Sequence, residues 1–158
     1  MKLLKQIVLV VDDDPDVCWV LERLVKSLKA RCIRARDGQA ALQAARANRL
    51  ALVLLDAKLP DMDGLEVARQ IRGIVPGVPI VLISGYFYQD DPAIQAALDQ
   101  GLIYGFVEKP FSHAEVIAAM ETALGSPKVA SRAAELLASG SLNLESYPPP
   151  PLAEVARS

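Results

Sequence analysis

No apolar run in this chain approaches the ~20 residues that a membrane-spanning helix needs, although 52% of its residues are hydrophobic. The hydrophobicity is that of a filled core. Basic charge is short as well: 17 Lys and Arg stand against 19 Asp and Glu, giving a net charge of -2 and a sequence pI near 5.4. Without a basic field for phosphate backbones, no direct nucleic-acid binding is expected. Only two cysteines occur, Cys18 and Cys32, and they lack metal-ligand spacing. They read as free, buried thiols in a reducing cytoplasm. The sole histidine, His113, falls on a first helical turn and is expected to be exposed rather than catalytic. The start, MKLLKQIVLVVDDD, has lysines before an apolar run, but three acids stand where small residues would mark a cleavage site, so it is not read as a secretion signal. At 158 residues the chain suits one domain with an appendage.

The most informative stretch is LALVLLDAKLPDMDGLE, from Leu50 to Glu66. An apolar run, Ala51 to Leu55, stops at Asp56, and a Pro-Asp-Met-Asp-Gly turn follows. This is a strand delivering an acid to a loop, and ligands of open parallel sheets bind outside the carboxyl ends of strands. Asp63 serves better as a helix cap, since Pro60 follows Asp56 too closely for a helix to start there.

The same device recurs along the chain. Ile7–Val11 is an apolar, β-branched run ending in Asp12-Asp13-Asp14. Asp14 then caps a helix whose first position is Pro15, with Val17, Leu21, Leu24, Val25 and Leu28 on one face and Trp19 off it. Arg31–Arg36 alternates as an edge strand would, and Asp37-Gly38 leads into a helix of about Gln39–Ala47. The helix opened by Asp63-Gly64 is expected to stop at Gly73 and Pro76. Pro79–Ile83 is a fourth strand, ending in Ser84-Gly85, and Asp91-Pro92 opens a helix to Gly101. Ile103–Val107 is a fifth strand, ended by Glu108-Lys109-Pro110. Ser112 and Glu115 form a capping box, with Phe111 and Val116 as its staple, for a helix to about Leu124. Strict alternation of five strands and five helices predicts an α/β fold, a doubly wound parallel sheet with helices on both faces.

Strand ends share one edge of such a sheet, so Asp12, Asp13, Asp56, Ser84 and Lys109 should converge. Clustered carboxylates repel one another unless a cation joins them, and an oxygen-only ligand set points to Mg²⁺ rather than zinc. A divalent cation, a lysine and a hydroxyl would hold a phosphoryl group, and a central aspartate could then act as nucleophile and form an acyl phosphate.

On VVDDDP, LLDAKLPDMDGLE, LISG and GFVEKPF, in that order from Gln6 to about Leu124, the chain resembles a receiver domain of a two-component response regulator, of the chemotaxis-regulator type. The resemblance implies a flavodoxin-like sheet of strand order 2-1-3-4-5. It implies Asp56 as phosphoacceptor, Mg²⁺ held by Asp13, Asp56 and the Lys58 backbone carbonyl, and Asp12 acting through water. It further implies Ser84 and Phe106 as switch residues, Lys109 as the phosphoryl-binding lysine, and a cis Lys109-Pro110 bond. The donor would be a sensor histidine kinase or a histidine phosphotransfer protein. The protein would be no enzyme beyond loading and unloading its own aspartate. Phosphorylation would draw Ser84 inward and let Phe106 fill the vacated space. The face of the fourth and fifth helices and fifth strand would then meet a downstream protein or a second copy. Two departures stand out: Phe106 lacks a tyrosine hydroxyl, and the Ser84–Lys109 interval is long, with Tyr86-Phe87-Tyr88 at its start. Lys58 and Tyr86, each two positions past a site residue, are expected to restrict attacking water.

Two other readings compete. Asp12-x-Asp14 resembles the nucleophile motif of haloacid-dehalogenase-type phosphatases, with Asp12 as nucleophile, but Asp16 stands where those enzymes carry Thr or Val. A non-phosphorylated pseudo-receiver would keep the fold and lose the charges, which are all present here. Residues 1–125 are expected to form the receiver. Residues 126–158 would then be an appendage without an output domain: a weak helix at Lys128–Ser139, then a Tyr147–Leu152 proline run read as linker or peptide ligand.

Overall fold

The computed structural model describes residues 6–87 and 89–125. Tyr88, the expected Lys128–Ser139 helix and the proline run lie outside the described residues. Ten elements alternate: β1 (Ile7–Val11), α1 (Pro15–Ser27), β2 (Arg31–Ala35), α2 (Gly38–Ala47), β3 (Leu52–Asp56), α3 (Gly64–Ile74), β4 (Ile80–Ser84), α4 (Pro92–Asp99), β5 (Gly105–Glu108) and α5 (His113–Leu124). The strands form one parallel sheet in the order β2-β1-β3-β4-β5, with arginine-bearing β2 at an edge.

Period-two alternation divides the strand residues between two cores. Leu9, Val11, Val53, Leu55, Ile80 and Leu82 face one side, where they meet α2, α3 and α4. Val8, Val10, Leu52, Leu54, Val81 and Ile83 face the other, against α1 and α5. The apolar runs of the inner strands are continuous for this reason, since neither face of the sheet is left to water.

Helix starts follow the capping residues in the sequence. The side chains of Asp14, Asp37, Asp63 and Asp91 accept from the backbone of Asp16, Ala40, Leu65 and Ala93, and Ser112 and Glu115 close their reciprocal box. Each such cap contributes ~1 kcal/mol and fixes where the chain turns back towards the sheet.

Helix α3 ends at Ile74, between Gly73 and Pro76 as expected. One expected boundary needs correcting. Strand β5 begins at Gly105 rather than Ile103. Gly101 takes a positive φ of 73°, and the amides of Leu102 and Ile103 both return to the Ala97 carbonyl, which occupies them in the end of α4.

Gly64 is a position where no side chain fits. A Cβ there would sit 2.4 Å from the backbone oxygen of Asp56 and 2.7 Å from the Cα of Ala57. Gly64→Ala is therefore expected to destabilise by about 2–3 kcal/mol in urea unfolding. The control is Gly73→Ala, which meets nothing within 4 Å and should stabilise by roughly 0.5–1 kcal/mol. Away from the strand ends, the Arg72 guanidinium donates to the carbonyls of Pro76, Val78 and Leu102, joining the last turn of α3 to the entries of β4 and β5.

Candidate functional site at the carboxyl ends of the strands

The amide of Asp12 donates to the Ala35 carbonyl and that of Lys109 to the Ser84 carbonyl, so the sheet's pairing continues past β1 and β5. The alternation that sends Val8 and Val10, Leu52 and Leu54, and Val107 towards α1 and α5 carries Asp12, Asp56 and Lys109 to that same side. Side chains far apart in sequence meet there. The Lys109 Nζ lies 2.9 Å from Asp12 Oδ2 and 3.7 Å from Asp56 Oδ1. Asp12 and Asp56 are buried, whereas Asp13 is exposed and forms the open side. One carboxylate oxygen from each of Asp12, Asp13 and Asp56 lies within 4.8 Å of the others.

Electrostatics follow from that crowding. Burial, then the charge of Asp12, push the Asp56 carboxyl up to about 6, although Lys109 and the Lys58 amide oppose the rise. Burial by itself would lower Lys109, but its hydrogen bond to Asp12 and the charges of Asp12 and Asp56 outweigh it, so its ammonium is held on more tightly. One lysine does not offset three carboxylates. The donor set is all oxygen, open on one side and short of positive charge, and it fits a hard divalent cation.

Both oxygens of Asp12 are engaged, Oδ2 by Lys109 and Oδ1 by the Asp14 amide at 2.9 Å. Asp56 Oδ1 accepts from the Lys58 amide at 3.4 Å. The Lys58 backbone pairs with Asp63 in an isolated bridge, which closes the loop after β3. Asp14 caps α1, as its position before Pro15 indicated. The Lys109-Pro110 bond is cis.

Ser84 and Phe106 belong to the opposite face. Ser84 continues the Ile80, Leu82 alternation, is fully buried, and its Oγ accepts from the amides of Tyr86 at 2.8 Å and Phe87 at 3.1 Å. Phe106 is already inside the α2–α4 core. Its ring is 1% exposed in this conformation. Cys18 is buried and donates to the Asp12 carbonyl, but Cys32 is only half-buried, because β2 is the edge strand. His113 is exposed, as expected.

Three contacts were missed in the sequence. The Lys58 Nζ sits 5.0 Å from the centroid of the Tyr86 ring, a cation–π contact that joins the loops after β3 and β4. The Glu108 carboxylate accepts from the Gln89 amide at 3.0 Å, tying the aromatic loop to the residue before Lys109. The Asp61 carboxylate accepts from the amides of Gly38 and Gln39, a second cap on α2 that lowers its own pKa. Only the first pair had a signal, the matching offset of both residues from Asp56 and Ser84.

Comparison with known proteins agrees with this fold. The family model for the response regulator receiver domain matches residues 8–121. The DNA-binding transcriptional regulator NtrC of Escherichia coli K12 is 33% identical over 118 residues, covering 75% of this chain and 24% of NtrC. The chain thus spans about a quarter of that relative's length. A CheY-like receiver domain protein from Methanospirillum hungatei JF-1 superposes with a TM-score of 0.73 at 19% identity, covering 79% of this chain and 98% of that one. The receiver domain of a sensor histidine kinase from Pseudomonas aeruginosa PAO1 gives a TM-score of 0.67 at 29% identity, over 77% of this chain and 99% of that one. That structure has a magnesium ion coordinated in its active-site cleft.

Proposed function

Because this chain belongs to the response regulator receiver domain family of two-component systems, we propose that Asp56 accepts a phosphoryl group from a phosphohistidine and that the acyl phosphate is the signal. The observation that carries the reading is the meeting of Asp12, Asp13, Asp56 and Lys109 at one sheet edge. In the transfer, an Asp56 carboxylate oxygen forms a bond to phosphorus, the phosphorus–nitrogen bond of the donor breaks, and the leaving imidazole takes up a proton. Asp13, Asp56 and the Lys58 backbone carbonyl would hold Mg²⁺, with Asp12 acting through water, and the bound ion would offset the charge of the phosphoryl oxygens. Lys109 keeps its proton and supplies a second positive charge beside the acceptor. Ser84 retains an O–H to donate while its oxygen is held by the loop amides.

A sensor kinase or phosphotransfer protein is the donor, and a downstream protein or second copy reads the face of α4, β5 and α5. Residues 1–125 act as the receiver and 126–158 as its appendage. Readout is a population shift: bonding Ser84 to the phosphoryl group competes with its bonds to Tyr86 and Phe87, which loosens the loop beside Phe106 and α4.

Incubation with a phosphoramidate and Mg²⁺ tests the reading. A base-labile phosphoryl group on the peptide containing Asp56 is expected. Label on the Asp12 peptide would favour the phosphatase reading, which is weakened by the engagement of both Asp12 oxygens.

Lys58 and Tyr86 are proposed to restrict water in line with the acyl phosphate, supported by the contact between them. The Lys58→Ala, Tyr86→Ala double variant should lose its phosphoryl group about tenfold faster, ~1.4 kcal/mol off the barrier. Equal decay rates would end this idea.

A further inference from the structure

On the α1 and α5 side of the sheet lies a feature that phosphoryl chemistry does not use. Trp19 is 55% exposed, a large apolar surface for a residue on a helix that otherwise buries its apolar side. The guanidinium of Arg23 stacks over its ring at 4.8 Å. The two residues, with Val20, Leu24, Ser27 and the first-turn His113 of α5, line a groove of about 540 Å³. Lys26 also borders it but is already paired with Glu22 at 3.3 Å. Among the described residues that line the groove there is no carboxylate. It is an aromatic and aliphatic trough with a cation over its ring.

We propose that the occupant of this groove is the chain's own segment Glu145–Glu154, docked with Pro148–Pro151 against Trp19. Four consecutive prolines favour polyproline II, a ridge that packs on aromatic-lined grooves because it is ordered before it binds. The lengths agree. Four residues of polyproline II rise about 12 Å, and Trp19 to Ser27 along α1 is also about 12 Å. The charges agree too: the prolines are bracketed by Glu145 and Glu154, and the groove offers the Arg23 guanidinium.

The tether permits the docking. Helices α1 and α5 both follow parallel strands and pack side by side, so the chain leaves α5 at Gly125 close to the far end of α1. From there 21 residues, 126–146, lead to Tyr147. Even with Lys128–Ser139 helical at 1.5 Å per residue and the rest extended, that stretch reaches about 45 Å. Helix α1, 13 residues long, measures only about 20 Å. A short tether of this kind gives an effective concentration on the order of 1 mM, so a weak contact suffices to hold the groove filled.

Trp19 is the only tryptophan, so its fluorescence in the full chain reports the groove directly. In the full chain with Pro148, Pro149, Pro150 and Pro151 all replaced by serine, emission should move to longer wavelength and acrylamide quenching should rise. Arg23→Glu, which leaves the prolines intact but repels both flanking acids, should give the same change, and far-UV circular dichroism should be unaltered in both. Adding a peptide spanning residues 145–154 should restore protection to the serine variant and not to Arg23→Glu. Wild-type emission and quenching equal to those of the serine variant would overturn the proposal. So would wild-type protection that is lost on dilution, because the occupant would then be a second copy.

Discussion

Replacing Asp56 by asparagine is expected to abolish phosphoryl uptake, with less than about one part in a thousand of wild-type labelling after equal exposure to a phosphoramidate and Mg²⁺. The substitution keeps the size of a residue at the end of β3 but removes the nucleophile, since an amide oxygen has no charge to give to phosphorus. Neighbouring acids do not take over. Both oxygens of Asp12 are held, and Asp13 is exposed rather than seated beside Lys109. Asp13→Asn should behave differently, lowering the rate and raising the Mg²⁺ concentration needed while leaving label on Asp56. Intact-mass measurement of the two variants distinguishes loss of the acceptor from loss of a cation ligand. Full labelling of Asp56→Asn would refute the assignment.

The same substitution is expected to make the cation-free protein more stable at pH 7, by on the order of 2–3 kcal/mol in urea unfolding with chelator present. Burial and the charge of Asp12 push the Asp56 carboxyl up to about 6 from the ordinary 3.8. The folded protein therefore binds this proton more tightly than the unfolded chain does. The stabilising share of Asp56 is complete below about pH 4 and is lost as pH rises through about 6. At pH 7 the wild type thus carries a buried charge that asparagine does not. The advantage of Asp56→Asn should shrink as pH falls from 7 towards 4, and saturating Mg²⁺ should shrink it at pH 7. Its side chain is only 11% exposed, so solvent screening does little to reduce the effect. A stability difference independent of both pH and Mg²⁺ would contradict this account.

The elements were legible because each carries its own local signal. Unbroken apolar runs mark the inner strands, alternation marks β2, and an Asp or Ser before each helix fixes where it starts. Asp12, Asp56 and Lys109 were legible as a cluster because topology alone sends strand ends to one edge. One strand start was less legible. Ile103 reads as strand, yet its amide is taken by the Ala97 carbonyl at the end of α4, so β5 begins at Gly105. Side-chain direction was partly hidden as well. Counting by twos places Ser84 on the other face from Asp56, but nothing local says that its hydroxyl accepts from Tyr86 and Phe87. The Glu108–Gln89 and Asp61–Gly38 bonds span 19 and 23 residues, so no nearby pattern encodes them.

The Arg72 guanidinium also has a mechanical meaning. It grips the carbonyls of Val78 and Leu102, just ahead of the two strands that bear Ser84 and precede Lys109. Strands moored at one end cannot travel lengthwise like pistons. A pull on Ser84 or Lys109 is then relieved only by flexing at the free ends, in the loop after β4 and the turn after β5. Amide hydrogen exchange should therefore quicken around Tyr86, Phe87 and Gln89 on phosphorylation and stay unchanged at Val78 and Ile80.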